Sequence, residues 1–136
     1  MDSHEFLTLL VRSFSNIQLR NSALILASNI AMDPSNKGKI ALLSVDILAS
    51  VAPFLESTDV SLRYAILSLL CLVTVPKEGK HRISTDRDLP DVINTIAKCD
   101  EDERCRAAAS ELRVLISELP LGKAIMGGDK NSGRDE

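Results

Sequence analysis

Asp59 to Pro76 reads DVSLRYAILSLLCLVTVP, and this stretch decides the fold. It has the form of one helix, capped by Thr58 or Asp59 and stopped at Pro76, because the residue before a proline disfavours helical backbone. The helix is apolar on most faces, so it belongs between neighbours and not on a surface. The same pattern lies on either side of it. Arg20, Arg63 and Arg106 recur every 43 residues, as do Ala23, Ile66 and Ala109, then Leu26, Leu69 and Leu112, then Ile30, Val73 and Ile116. Pro34, Pro76 and Pro120 end the three apolar runs, and Lys37, Lys80 and Lys123 follow with the same 43-residue spacing.

A period near 43 built of helices lies in the roughly 40–47-residue range of α-solenoid repeats. Composition agrees: 45% of the 136 residues are hydrophobic and only 3% aromatic, which suits helix packing by Leu, Ile, Val and Ala. Length indicates one domain with a substantial core. The net charge of −3 provides no global field for nucleic acid or an anionic membrane. The uncharged run Ala65 to Val75 is too short for a bilayer, which needs about 20 apolar residues. Asp2 and Glu5 differ from the basic start of a signal peptide. Cys71, Cys99 and Cys105 have neither metal nor redox spacing, and their odd number argues against a disulfide framework. A reducing intracellular compartment, cytoplasmic or nuclear, is expected.

Outward from the central helix, Phe6, Leu7, Leu10, Val11 and Phe14 share one helical face. Ser15 and Gln18 have capping-box spacing, so a helix is expected from Asn16 to about Met32. Asn36 to Leu43 reads as a short helix with its lysines exposed. Ser44 to Ser57 reads as a medium helix that Pro53 kinks or breaks. Gly79 to Ile83 is a further short helix, and Leu89 to Lys98 a medium one with Pro90 in its first turn. Asp100 and Glu103 have capping-box spacing before the third long helix, Arg104 to Leu119, and the acidic run there suits the helix dipole. Leu121 to Met126 begins a fourth short helix. Gly127 to Glu136 has no apolar residue and is expected to be a disordered polar tail after a helical domain over 1–126.

The order short, medium, long and buried resembles the armadillo repeat, with the HEAT repeat as second choice. Leu19 to Ala31, LRNSALILASNIA, is similar to the family's third helix with its Asn near the end, and it recurs as Leu62 to Thr74 and more loosely as Cys105 to Ser117. The resemblance covers about residues 6 to 126, or roughly two and two-thirds repeats. It implies an all-α fold, a short right-handed α-solenoid of about three armadillo-like repeats whose third helices line a concave groove. It also implies a non-enzymatic adaptor or scaffold that takes an extended peptide or helix of a partner protein in that groove. Peptide-reading members carry a Trp and an Asn four apart on the third helix. With Asn29 in the Asn column, Ile25, Ser68 and Glu111 fall in the Trp column and Leu72 and Leu115 follow Asn29; shifting by one residue does not rebuild the ladder either. Such a ladder-type nuclear-import role is therefore not expected. Ile25, Asn29, Ser68, Leu72, Arg104 and Glu111 are the candidate groove contacts.

No catalytic, cofactor or metal constellation is apparent. His4 and His81 are isolated, and the phosphate-loop, dinucleotide and nucleophile-elbow patterns are absent. Lys37, Lys39, Lys80, Arg82 and Lys123 would stack as a basic ridge, although a solvated edge is the plainer reading. Without an aromatic platform, nucleic acid is not an expected partner. A second functional reading is a structural segment or subunit of a larger assembly, nuclear and chromatin-associated or cytoplasmic, whose open solenoid ends are covered by partners.

Overall fold

The computed structural model describes residues 2–118. Among these the chain is all-helical, without strands: α1 (Ser3–Arg12), α2 (Arg20–Ala31), α3 (Lys37–Ser44), α4 (Ile47–Val51), α5 (Val60–Val73), α6 (Lys77–Thr85), α7 (Leu89–Cys99) and α8 (Glu103–Ser117). Short 3-10 turns follow α1 and α4. Pro53 lies in the second of these, over Ala52–Glu56, where its missing N–H and ring displace regular helix. Pro90 is tolerated in the first turn of α7. The expected fourth short helix, Lys123 and the polar tail lie outside the described residues.

The long helices α2, α5 and α8 pack in series, α2 on α5 and α5 on α8. α2 also packs on α1, α5 on the 3-10 turn before it and α8, most extensively, on α7, while α3 packs on α6. The core is aliphatic, and Ile66, Leu67, Leu69, Leu70 and Val73 of α5 are completely covered. A helix packed from several sides needs apolar residues on several faces, which is why α5 has so little polar surface.

The arginine column has a repeated role. Arg20 Nε donates to the Phe14 carbonyl at 2.7 Å, Arg63 Nη1 to the Ser57 carbonyl at 2.8 Å and Arg106 Nη1 to the Asp100 carbonyl at 2.5 Å, each six residues upstream. Each guanidinium thus closes the connection into its own long helix. Two of them also reach the connection that leads into the next long helix. Arg20 lies 4.1 Å from the centroid of Phe54, and Arg63 pairs with Asp100 through Nε–Oδ2 at 3.0 Å and Nη2–Oδ1 at 2.9 Å. The hydrogen bond from Arg63 holds the Asp100 carboxyl below its ordinary range, against the upward push of burial.

Several local expectations are corrected. Ser15 and Gln18 form no capping box: Asn16 Oδ1 accepts from Gln18 N, residues 16–19 form a turn, and α2 starts at Arg20. Asp100 is not the N-cap of α8, because Arg63 holds its carboxylate; Asp102 takes that place and accepts from Cys105 N at 3.2 Å. A capping box does occur at α1, where Asp2 and Glu5 satisfy each other's backbone N–H groups.

The lysine spacing misleads about position. The α2–α3 connection is two residues longer than the α5–α6 connection, so the structural counterparts are Gly38 and Gly79, 41 apart. At both, a Cβ would collide with a carbonyl of the preceding long helix, that of Ile30 or Val73. Glycine lets the short helix approach that helix end closely. Lys39 follows Gly38 and is 5% exposed, its Nζ donating to the Asp33 carbonyl at 2.9 Å. It is not on an exposed ridge.

Candidate functional site

Two hollows open along the row of long helices. One, about 430 Å³, lies between α2 and α5 and is lined by Ile25 and Asn29 with Asn21, Ser28, Ser61 and Ala65 among others. The other, about 610 Å³, lies between α5 and α8 and is lined by Ser68, Leu72, Arg104 and Glu111 with Tyr64, Leu115 and others. Met32, at the C-terminal end of α2, also lines the second hollow. All six groove candidates therefore line a hollow on one side of the α2–α5–α8 row. The helical geometry explains this, since Ser68 and Leu72, like Ile25 and Asn29, are four apart and share a face.

The groove is mixed in character. Ile25, Met32 and Val75 are 64%, 62% and 52% exposed, an apolar surface available to a ligand. Asn29, Arg104 and Glu111 are exposed, and Ser68 and Leu72 half-buried. Arg104 lies 5.1 Å from the centroid of Tyr64, and its Nε is 3.5 Å from Asp102 Oδ2. The Arg104 side chain is 61% exposed, so its guanidinium retains donors for a carboxylate or a peptide carbonyl. Asn29 and Ser68 offer hydrogen-bonding groups suited to an extended backbone.

Nucleophilic chemistry is poorly served here. Cys71 lines the α5–α8 hollow, and burial first, then the charge of Glu111, push its thiol up to about 12. It remains a protonated thiol at neutral pH and contacts the Ala108 carbonyl at 3.7 Å. Cys105 is completely buried and its pKa is also raised, chiefly by burial. His4 and His81 are exposed, and no metal-holding group of His, Cys, Asp or Glu occurs among the described residues. No single helix among them is long and apolar enough to cross a membrane.

The basic ridge is dispersed. Lys37 is exposed and Lys80 half-buried. Lys39 is buried, as described above. Arg82 of α6 turns to the C-terminal end of α3, where it donates to the Leu43 carbonyl and pairs with Asp46 at 3.0 Å. Lys123 is outside the described residues. Tyr64, Met32 and Val75 belong to the groove but were not among the sequence candidates. Tyr64 was accessible to the same reasoning, one turn before Ser68 on α5.

No protein-family model matches the chain, and no curated protein or solved structure is significantly similar to it.

Proposed function

We propose that this chain is a non-enzymatic protein–protein interaction module, an adaptor or scaffold that binds an extended peptide or a helix along the α2–α5–α8 groove. The architecture behind this reading is a short right-handed α-solenoid of about three armadillo-like repeats, with α2, α5 and α8 as third helices. It is supported by the serial packing of these helices and by the arginine bond repeated at 43-residue spacing. The observation that carries the functional reading is that Ile25, Asn29, Ser68, Leu72, Arg104 and Glu111 all line hollows on one side of the row. An open groove with apolar walls, backbone-sized hydrogen-bonding groups and the exposed guanidinium of Arg104 suits a peptide better than a small substrate.

Selection of displayed random peptides on the whole chain tests this. Peptides with a shared motif should be enriched, and Ser68→Arg should weaken their binding at least about tenfold, or about 1.4 kcal/mol, with helicity unchanged. Failure to enrich any motif, or undiminished binding to the variant, contradicts the groove.

The second reading, a subunit held within a larger cytoplasmic or nuclear assembly, is favoured by the exposed Leu19 and Leu26 at the N-terminal end of the row.

A further inference from the structure

The two hollows along the row differ in what they offer a bound chain. Between α2 and α5 the lining carries amides and hydroxyls, those of Asn21, Ser28, Asn29 and Ser61. Between α5 and α8 it is built differently. Tyr64, Ser68 and Leu72 of α5 line one wall, each four residues from the next, and Arg104, Ala108, Glu111 and Leu115 of α8 line the other at spacing 0, +4, +7, +11. Each set keeps to one face of its helix, so the hollow is a trough that follows the helix axes for about 16 Å. Its middle is lined by Ser68, Cys71, Ala107 and Ala108, all small.

An extended chain laid over that floor would turn its inward N–H and C=O groups toward methyl groups. Ser68 offers a hydroxyl there, but the Cys71 thiol already turns to the Ala108 carbonyl at 3.7 Å. Backbone polar groups buried without partners are costly. A helix satisfies those groups within itself and presents only side chains. Small floor residues also let the axis of a helix come close, as between packed helices. Two charges stand along the α8 wall. Arg104 is exposed and rests on the Tyr64 ring. Glu111, two turns on, is exposed and forms no ion pair among the described residues. Burial first, then the charge of Glu111, raise the Cys71 thiol, so that charge lies beside the floor. Seven residues of helix separate the two charges by about 10.5 Å along the axis.

We infer that the α5–α8 trough takes an amphipathic helix of a partner protein, about three turns long, with an acidic and a basic side chain seven residues apart and apolar residues between them. The acid meets Arg104 and the base meets Glu111, because residues seven apart on the partner share a face and advance by the same distance as the two charges of α8. The apolar residues three and four places after the first charge lie over Ser68, Ala107 and Ala108. An acid before the base sets the partner parallel to α8, and a base before the acid sets it antiparallel. Two acids or two bases at these places would bring like charges together, which rejects such helices. A helix is the narrower case of the peptide or helix proposed for the groove, and it rests on that reading.

Two displayed peptide libraries, selected on the whole chain, test it. One has a helix-forming frame of alanine and glutamine with the positions of one face randomised; the other is punctuated with proline, which keeps its members extended. The helical library should yield members with Asp or Glu and Lys or Arg seven apart, in one order or the other. Ser68→Arg should weaken their binding at least about tenfold, and Glu111→Lys about fivefold, the size expected when one exposed pair is reversed. Changing the base of the peptide to Glu should restore its binding to the Glu111→Lys chain. Proline-punctuated peptides that bind as tightly as the helices or more so, and that Ser68→Arg weakens, overturn the helix and leave the groove standing. Helices selected without the charge pair, or left unweakened by Glu111→Lys, also overturn it. Enrichment from neither library, or binding indifferent to Ser68→Arg, overturns the helix and the groove together.

Discussion

Replacing Asp100 by Asn leaves the shape of the side chain but removes its charge. Its partner Arg63 is 11% exposed at the side chain and Asp100 7%, and two hydrogen bonds of 2.9 and 3.0 Å join α5 to the connection before α8. Asn also turns an N–H group toward the guanidinium at one of the two positions. Breaking a fully buried pair by removing one partner costs about 3–5 kcal/mol, because a charge is left uncompensated. Here the pair borders an open hollow of about 320 Å³, so water can reach the orphaned guanidinium. Arg63 also keeps its bond to the Ser57 carbonyl. The expected loss is therefore smaller, about 2–3 kcal/mol, a large share of a typical 5–15 kcal/mol fold stability. Arg63→Met alone should cost a similar amount. The double variant Arg63→Met/Asp100→Asn leaves neither charge exposed to the other's absence and should cost only about 2 kcal/mol, giving a coupling of about 2–4 kcal/mol. Urea unfolding followed by helical circular dichroism measures all four chains. The pH dependence supplies an independent check. Because the folded Asp100 carboxyl lies below its unfolded value, its stabilisation is present above about pH 3.9 and is lost as pH falls through the lower folded value. Asp100→Asn should lose that part of the acid slope. A single-variant loss under about 0.5 kcal/mol, or additive losses in the double variant, would refute the assigned role of the pair.

Other substitutions follow from the same contacts. Gly38→Ala and Gly79→Ala should each lower stability by about 1–3 kcal/mol in urea unfolding, since the added methyl meets a helix carbonyl. Among the repeated arginines, the loss on substitution by Ala should fall in the order Arg63, Arg20, Arg106. Arg63 gives up a carbonyl bond and an ion pair, Arg20 a carbonyl bond and a ring contact worth about 0.5–1 kcal/mol, and Arg106 a carbonyl bond and no other recorded side-chain hydrogen bond among the described residues. At pH 8 a thiol reagent should label the exposed Cys99 of the native chain rapidly. Cys71, half-buried and with its thiol pushed up to about 12, should react far more slowly, and the buried Cys105 only after unfolding; mass spectrometry of the digested chain distinguishes them.

Sequence columns served best where a helix has to be covered on several faces. The Ala23–Ile66–Ala109 and Leu26–Leu69–Leu112 columns mark the long helices, and the arginine column marks a carbonyl bond that recurs at the start of each of them. The groove candidates could be placed together because positions four apart share a helical face, whatever lies opposite. Spacing failed where chain length is absorbed in connections. Lys37 and Lys80 keep a 43-residue interval, yet Gly38 and Gly79 are the positions that meet the preceding helix. Nothing local in the sequence reveals that the second connection is shorter, or that Lys39 folds back onto the Asp33 carbonyl. The capping pattern at 100–103 was ambiguous for a related reason. Several acids compete for one helix end, and Arg63, 37 residues earlier, decides which of them is withdrawn. Exposure of Leu19 and Leu26 is likewise invisible in a column whose other members are buried, because it depends on what packs against that face of the helix.

The groove is tested most directly by an amide chemical-shift map of the chain during titration with a peptide selected on it. The account predicts that the largest shifts fall on the groove side of α2, α5 and α8, at Ile25, Asn29, Ser68, Leu72, Arg104 and Glu111, and that Ser68→Arg abolishes them. Shifts confined to α1, α3 or α6, with the groove residues unmoved by a peptide that binds, would contradict it.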